Sequence, residues 1–187
     1  LHIGPNAPIL KRHPEFARQD RDGNIICTEW NFPYLDYTSD GLREYLWCNM
    51  IYYLGEMDAD GFRCDVGDGV PTDFWVEARR RMKAVKPDSV LINEGSNWNN
   101  LLKGFDSSYC FDWHVNLYKA FSGEISAAEC RAFLEKLANE IPSGAKLIFD
   151  IDNHDTVTDW PARTETVAGH DGMEQIEVIN YLLDGIP

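Results

Sequence analysis

Metal-site spacings are missing from this sequence. It holds no His-x-His, no His-Glu-x-x-His and no Cys-x-x-Cys pair. Cysteine is sparse and unpaired in pattern: Cys27, Cys48, Cys64, Cys110 and Cys130 are odd in number and scattered, which indicates neither a zinc site nor a disulfide framework. Cys48, Cys64 and Cys110 stand among apolar neighbours and read as small buried hydrophobes. No apolar run approaches the roughly 20 residues that span a bilayer. Positive charge is short as well, with 17 Lys and Arg against 31 Asp and Glu and a net charge of −14. That balance argues against phosphate backbones and anionic membranes as partners, and so against nucleic acid, and it suits a neutral ligand such as a sugar without selecting one. No repeat or low-complexity tract is present. A leader peptide is absent too, but the chain begins at Leu1 and stops after Gly185-Ile186-Pro187, so both ends read as cuts and cytoplasmic and secreted locations stay open.

What is present is an ordinary globular mixture, 44% hydrophobic and 26% charged, enough to bury one core. Aromatic residues at 12% are compatible with sugar stacking and equally with core packing. Residues 1–37 read as irregular, rich in Pro, Gly, Asn and Asp, with a turn at Asp22-Gly23-Asn24. From Ser39 or Asp40, Leu42, Tyr45, Leu46, Met50, Tyr53 and Leu54 recur at helical steps. A strand is expected at 60–66, a helix at 72–85 ended by Pro87, and a strand at 89–93. Further strands are expected at 107–113 and 145–151, and helices at 126–141 and 173–183. Ser126 with Glu129 has the spacing of a capping box. Strand followed by helix, with strands apolar on both faces, predicts a parallel α/β sheet.

In such folds functional groups gather at the carboxyl ends of the strands. The first strand ends in Arg63 and Asp65, two apart and on one side; the second ends in Glu94. The fourth runs into Asp150-Ile151-Asp152-Asn153-His154-Asp155, while the third, ending near 111–114, is less telling. Carboxylates grouped with a guanidinium suit retaining glycosidic cleavage. One carboxylate attacks the anomeric carbon, kept ionised by an adjacent Arg, and a second donates a proton to the leaving oxygen from about 5–5.5 Å away. Taken singly, each residue has a plainer reading: Asp65 as a capping group paired with Arg63, Glu94 as a loop hydrogen-bonding residue, 153–155 as a turn with a satisfied histidine. A metal-dependent hydrolase using Asp65, Asp152, His154 and Asp155 is the rival chemistry.

At these positions the sequence resembles glycoside hydrolase family 13, the α-amylase superfamily. Asp60-Gly61-Phe62-Arg63-Cys64-Asp65-Val66 is similar to the motif of barrel strand four, Ile92-Asn93-Glu94-Gly95 to that of strand five, and Phe149-Asp150-Ile151-Asp152-Asn153-His154-Asp155 to that of strand seven. The resemblance implies a partial (β/α)8 TIM barrel, about strands four to seven, with part of the family's B domain in residues 1–30 and partial catalytic barrel in 31–187. It implies Asp65 as nucleophile, Glu94 as general acid/base, Asp155 as transition-state stabiliser, and Arg63, His154 and His2 as substrate-binding groups. His2 would match the His closing the strand-three motif, with Leu1 where relatives carry Asn. Trp30-Asn31-Phe32-Pro33-Tyr34-Leu35-Asp36-Tyr37 is similar to the segment that leaves the B domain. The implied substrate is an α-glucan or maltooligosaccharide. No metal ligand is assigned in this chain, and the resemblance leaves a calcium ion in the complete protein open.

One departure bears on specificity. Many α-amylases place Lys-His shortly after the nucleophile, where this chain has Val66-Gly67-Asp68-Gly69. That departure argues against strict endo-acting starch cleavage and leaves maltogenic, oligosaccharide-trimming and transglycosylating activities open. Separately, a transglycosylase or isomerase on the same site and a non-catalytic relative that binds protein or glycan stand as alternatives to hydrolysis. A barrel lacking several strands exposes sheet edges, so these residues alone are expected to be unstable or inactive.

Overall fold

The computed structural model describes residues 3–155 and 163–187. Residues 3–38 are more ordered than their composition predicts. After a short helix α1 (Pro8–Arg12), antiparallel bridges join Ala17 to Leu35, Gln19 to Ile25 and Cys27 to Pro33. The turn between them is tied by the Asp20 carboxylate, which accepts the N–H groups of Asp22 and Asn24. Leu10, Phe16, Ala17 and Leu35 form a small apolar cluster with Leu42 of α2 (Asp40–Gly55), a helix capped by the Ser39 hydroxyl.

Four parallel strands follow: β1 (Gly61–Cys64), β2 (Val90–Asn93), β3 (Ser107–Tyr109) and β4 (Lys146–Ile148). Their order in the sheet is their order in the chain. Each crossover thus adds the next strand at the same edge, as in a barrel, where an open doubly wound sheet reverses direction. The progression continues past β4, because Ile186 bridges Ile148 in parallel and accepts the Phe149 N–H. The fold is a partial (β/α)8 barrel. Gly61 starts β1 at φ 154°, where a Cβ would lie 1.9 Å from the Val90 carbonyl oxygen.

Helix α3 (Thr72–Val85) joins β1 to β2 and packs against α2. Helices α4 (Phe111–Phe121) and α5 (Ala127–Glu140) precede β4, and α6 (Glu165–Leu182) follows it. The Ser126–Glu129 capping box forms as its spacing predicts. Two apolar clusters lie between sheet and helices, one around Phe74, Trp75, Leu91 and Phe105, the other around Trp113, Leu117, Leu147, Phe149 and Ile176.

Four expectations need correcting. The third strand ends at Tyr109, and 111–114 begin helix α4; the aromatic run imitates a buried strand, but Trp113, His114 and Leu117 are buried at helical spacing. The fourth strand is shorter than 145–151, ending at Ile148. The last helix starts at Glu165, eight residues earlier than expected, because it continues through a kink at Gly169 (φ 65°, ψ −177°). Cys48 is exposed on α2, its thiol 3.5 Å from Glu44 Oε1, whereas Cys64 and Cys110 are buried.

Candidate active site

Strand register aligns the site. Parallel pairing sets Phe62 opposite Leu91 and Cys64 opposite Asn93, and Phe62, Cys64 and Leu91 belong to the helix-side core. The two-residue period then turns Arg63 and Ile92 to the other face, and Asp65, Glu94 and Tyr109 follow at the strand ends. The ladder extends one step past the strands: Glu94 donates its N–H to the Cys64 carbonyl, and Gly67 donates to that of Glu94.

Arg63 ties the two carboxylates together. Its Nη1 donates to Asp65 Oδ1 and its Nη2 to Glu94 Oε1, each at 2.7 Å. The guanidinium also lies 5.8 Å from the Tyr109 ring centroid, a cation–π distance. Burial opposes its charge, but the hydrogen bond to Asp65 and the field of Glu94 outweigh that and raise its pKa. The Glu94 side chain is 14% exposed and that of Asp65 43%, so Asp65 is the more open to an incoming molecule. Glu94 Oε2 accepts the Val66 N–H at 2.7 Å.

Behind these groups lies a residue that the spacing of motifs does not single out. Asp68 Oδ2 accepts the N–H groups of Ser96 (2.7 Å) and Asn97 (2.8 Å), and its Oδ1 accepts from Asn93 Nδ2 (2.9 Å) and Asn100 Nδ2 (3.2 Å). The loop after β1 is thereby bolted to the loop carrying Glu94. Gly95 allows the approach, since a Cβ there would lie 2.2 Å from Asp68 Oδ2. The signal in the sequence was the acidic residue standing in Val66-Gly67-Asp68-Gly69. Beside it a cleft of about 450 Å³ opens between the N-terminal segment and the β1 loop, lined in part by Arg18, Phe32, Tyr34, Tyr37, Val66 and Asp68.

His154 and Asp155 stand on the loop after β4, both well exposed, with His154 Nε2 3.6 Å from Asp155 Oδ1. Asn153 Oδ1 accepts the Asp155 N–H, and Asn153 Nδ2 donates to Asp150 Oδ2. At about 4.8 Å per strand, β4 lies roughly 14 Å along the sheet from β1. The structure thus brings Arg63, Asp65 and Glu94 into contact, while His154 and Asp155 stand apart from them on the loop after β4, the strand at the other edge of the sheet. His2 lies outside the described residues. Among the described residues no group of three or more His, Cys, Asp or Glu side chains is gathered to hold a metal ion. Among them, too, no helix is long and apolar enough to cross a membrane.

A sheet wound in one direction, with its charged groups at the carboxyl rim, defines part of a barrel of the kind that carries active sites at that rim. The chain belongs to glycoside hydrolase family 13, the α-amylase superfamily. It is 30% identical over 156 residues to a cyclomaltodextrinase of Thermoanaerobacter pseudethanolicus, a match covering 79% of this chain and 26% of that protein. An α-1,4-glucan:maltose-1-phosphate maltosyltransferase of Myxococcus xanthus is 29% identical over 140 residues, covering 67% of this chain and 20% of its own length. In the crystal structure of a noncanonic maltogenic α-amylase from Thermotoga neapolitana, 43% of the chain superposes on all of this one with a TM-score of 0.88 and 28% identity. No family model matches the chain. The chain spans about a quarter of the length of these curated relatives.

Proposed function

We propose that the protein is a retaining α-glucan-active glycoside hydrolase that cleaves α-glucosidic bonds in starch-like poly- or oligosaccharides. The observation that carries this reading is the Arg63 fork, which holds Asp65 and Glu94 on one face at adjacent strand ends. Asp65, the more exposed carboxylate, attacks the anomeric carbon and forms a glycosyl-enzyme ester as the leaving oxygen departs. Glu94 protonates that oxygen and later takes the proton of the water that hydrolyses the ester. Both Glu94 oxygens accept hydrogen bonds in the structure, so one contact opens as substrate enters. Asp155 binds the ring's 2- and 3-hydroxyls and stabilises oxocarbenium character, with His154 and His2 holding the substrate.

In the same reading residues 1–30 are part of the B domain and 31–187 are partial catalytic barrel.

The test is reducing-sugar release from soluble starch and maltooligosaccharides by the full-length protein beside its Asp65→Asn variant. Release that vanishes in the variant while glucan binding persists supports the assignment; retained turnover overturns it. Transglycosylation is the second reading, favoured by the maltosyltransferase relative and by Val66-Gly67-Asp68-Gly69 standing where many α-amylases carry Lys-His. It would give rearranged glucans without new reducing ends.

A further inference from the structure

His114 is a buried imidazole for which the reaction has no use. Its side chain is 2% exposed, and neither ring nitrogen has a hydrogen-bond partner among the described residues. Its Nδ1 stands 3.8 Å from Oδ2 of Asp150, whose side chain is 10% exposed. Among the described residues His114 is the one cationisable group within 4 Å of that carboxylate. Asp150 Oδ2 is also the acceptor for Asn153 Nδ2 at 3.0 Å, and Asn153 Oδ1 accepts the Asp155 N–H at 2.8 Å. A line of contacts therefore runs from the interior of α4, past the end of β4, to the backbone of Asp155.

We propose that His114 and Asp150 are positioning residues that act through Asn153 to set the loop bearing His154 and Asp155. The inference rests on the reading of Asp155 as the transition-state stabiliser. The physical reason is the cost of burying a carboxylate. Asp150 is nearly buried, and the polar group set beside it from the interior is the His114 ring, 3.8 Å away on a helix locked into the core by Trp113 and Leu117. A fixed Asp150 gives Asn153 one orientation. Asn153 in turn holds the Asp155 amide, so the carboxylate three bonds away meets the sugar in one geometry.

The experiment compares full-length wild type with His114→Phe, His114→Gln and the double variant His114→Phe/Asp150→Leu. It follows kcat and KM on maltooligosaccharides, thermal stability, and hydrogen exchange at the Asp155 amide. His114→Phe is expected to lower kcat on the order of 100-fold with KM little changed, as a displaced catalytic group does, and to lose protection of the Asp155 amide. His114→Gln, which keeps a donor, recovers most of both. The double variant removes the uncompensated charge and regains stability, yet its Asp155 amide stays unprotected and its kcat stays low. Recovery of kcat in the double variant, or unchanged amide protection in His114→Phe, overturns the proposal. Absence of glucan turnover in the wild type, with amide protection still lost in His114→Phe, overturns the catalytic reading instead and leaves the positioning intact.

Discussion

Val66 donates its backbone N–H to Glu94 Oε2 at 2.7 Å from a left-handed conformation, φ 45° and ψ 45°. A β-branched residue is held there at a cost of roughly 1–3 kcal/mol, which persists only where surrounding contacts fix it. Here the Gly67 N–H to the Glu94 carbonyl and the Gly69 N–H to the Val66 carbonyl do so. The strain aims one amide at the proposed acid/base.

Two substitutions separate the backbone's role from the side chain's. Val66→Gly keeps the amide and relieves the strain, and the side chain it removes is half exposed; turnover and thermal stability should change little. Val66→Pro removes the donor and cannot adopt a positive φ, so kcat should fall by about 100-fold or more. Equal kcat values for the two variants would show that the amide has no part in orienting Glu94.

Arg63 offers a sharper test, because its function depends on fork geometry. A Lys at this position carries the same charge but, as a point donor, does not span Asp65 and Glu94 with two aligned bonds, and it loses planar contact with Tyr109. Arg63→Lys should lower kcat on the order of 100-fold while the protein remains folded. Steady-state kinetics beside a circular-dichroism melt would check it, and a kcat within a few-fold of wild type would mean that charge alone suffices.

Asp68 and Gly95 should behave as one unit. Removing the carboxylate in Asp68→Ala strands four donors at the loop junction. Because water reaches part of the site, the loss of stability is expected at roughly 1–3 kcal/mol rather than the sum of four bonds. Gly95→Ala forces a methyl against Asp68 Oδ2 and should cost a similar amount. With Asp68 already truncated the clash is gone, so the second substitution should cost much less. Urea midpoints of the two single variants and the double variant measure this coupling; strict additivity would refute it.

What could be read in advance depended on whether the cause was local. Helix α3 starts and stops where its pattern says, at Thr72 and Val85, and Ser126 with Glu129 forms its capping box because both partners lie in one turn. The positions of Arg63, Asp65 and Glu94 at strand ends followed from apolar runs and a two-residue period. Helix α4 did not, because Tyr109-Cys110-Phe111 is as apolar as a strand and only tertiary contacts, such as Trp113 Nε1 donating to Asn180 Oδ1, decide for helix. Asp68 was hidden for a related reason. Its partners lie 25 to 32 residues away and are mostly Asn side chains and backbone amides, which no motif of charges marks. The exposure of Cys48 likewise reflects which side of α2 meets α3, a matter the apolar neighbours of Cys48 in sequence do not reveal.

Cysteine provides the last prediction. Burial pushes the thiols of Cys64 and Cys110 up to about 12, from an ordinary value of 9.0, and it raises the Tyr37 hydroxyl as well. Each group is therefore neutral in the folded protein at a pH where it ionises in the unfolded chain. A folded pKa above the unfolded one stabilises fully below about pH 9, and that contribution is lost as pH climbs from 9 toward 12. Urea midpoints should accordingly fall between pH 8 and pH 10.5, with a shallower fall when Cys64 and Cys110 are both replaced by Ala. The same burial shields the thiols, so under native conditions a thiol reagent should label exposed Cys48 well before Cys64 or Cys110. Rapid native labelling of Cys64, or an identical alkaline slope in the Ala variant, would contradict the burial of these thiols.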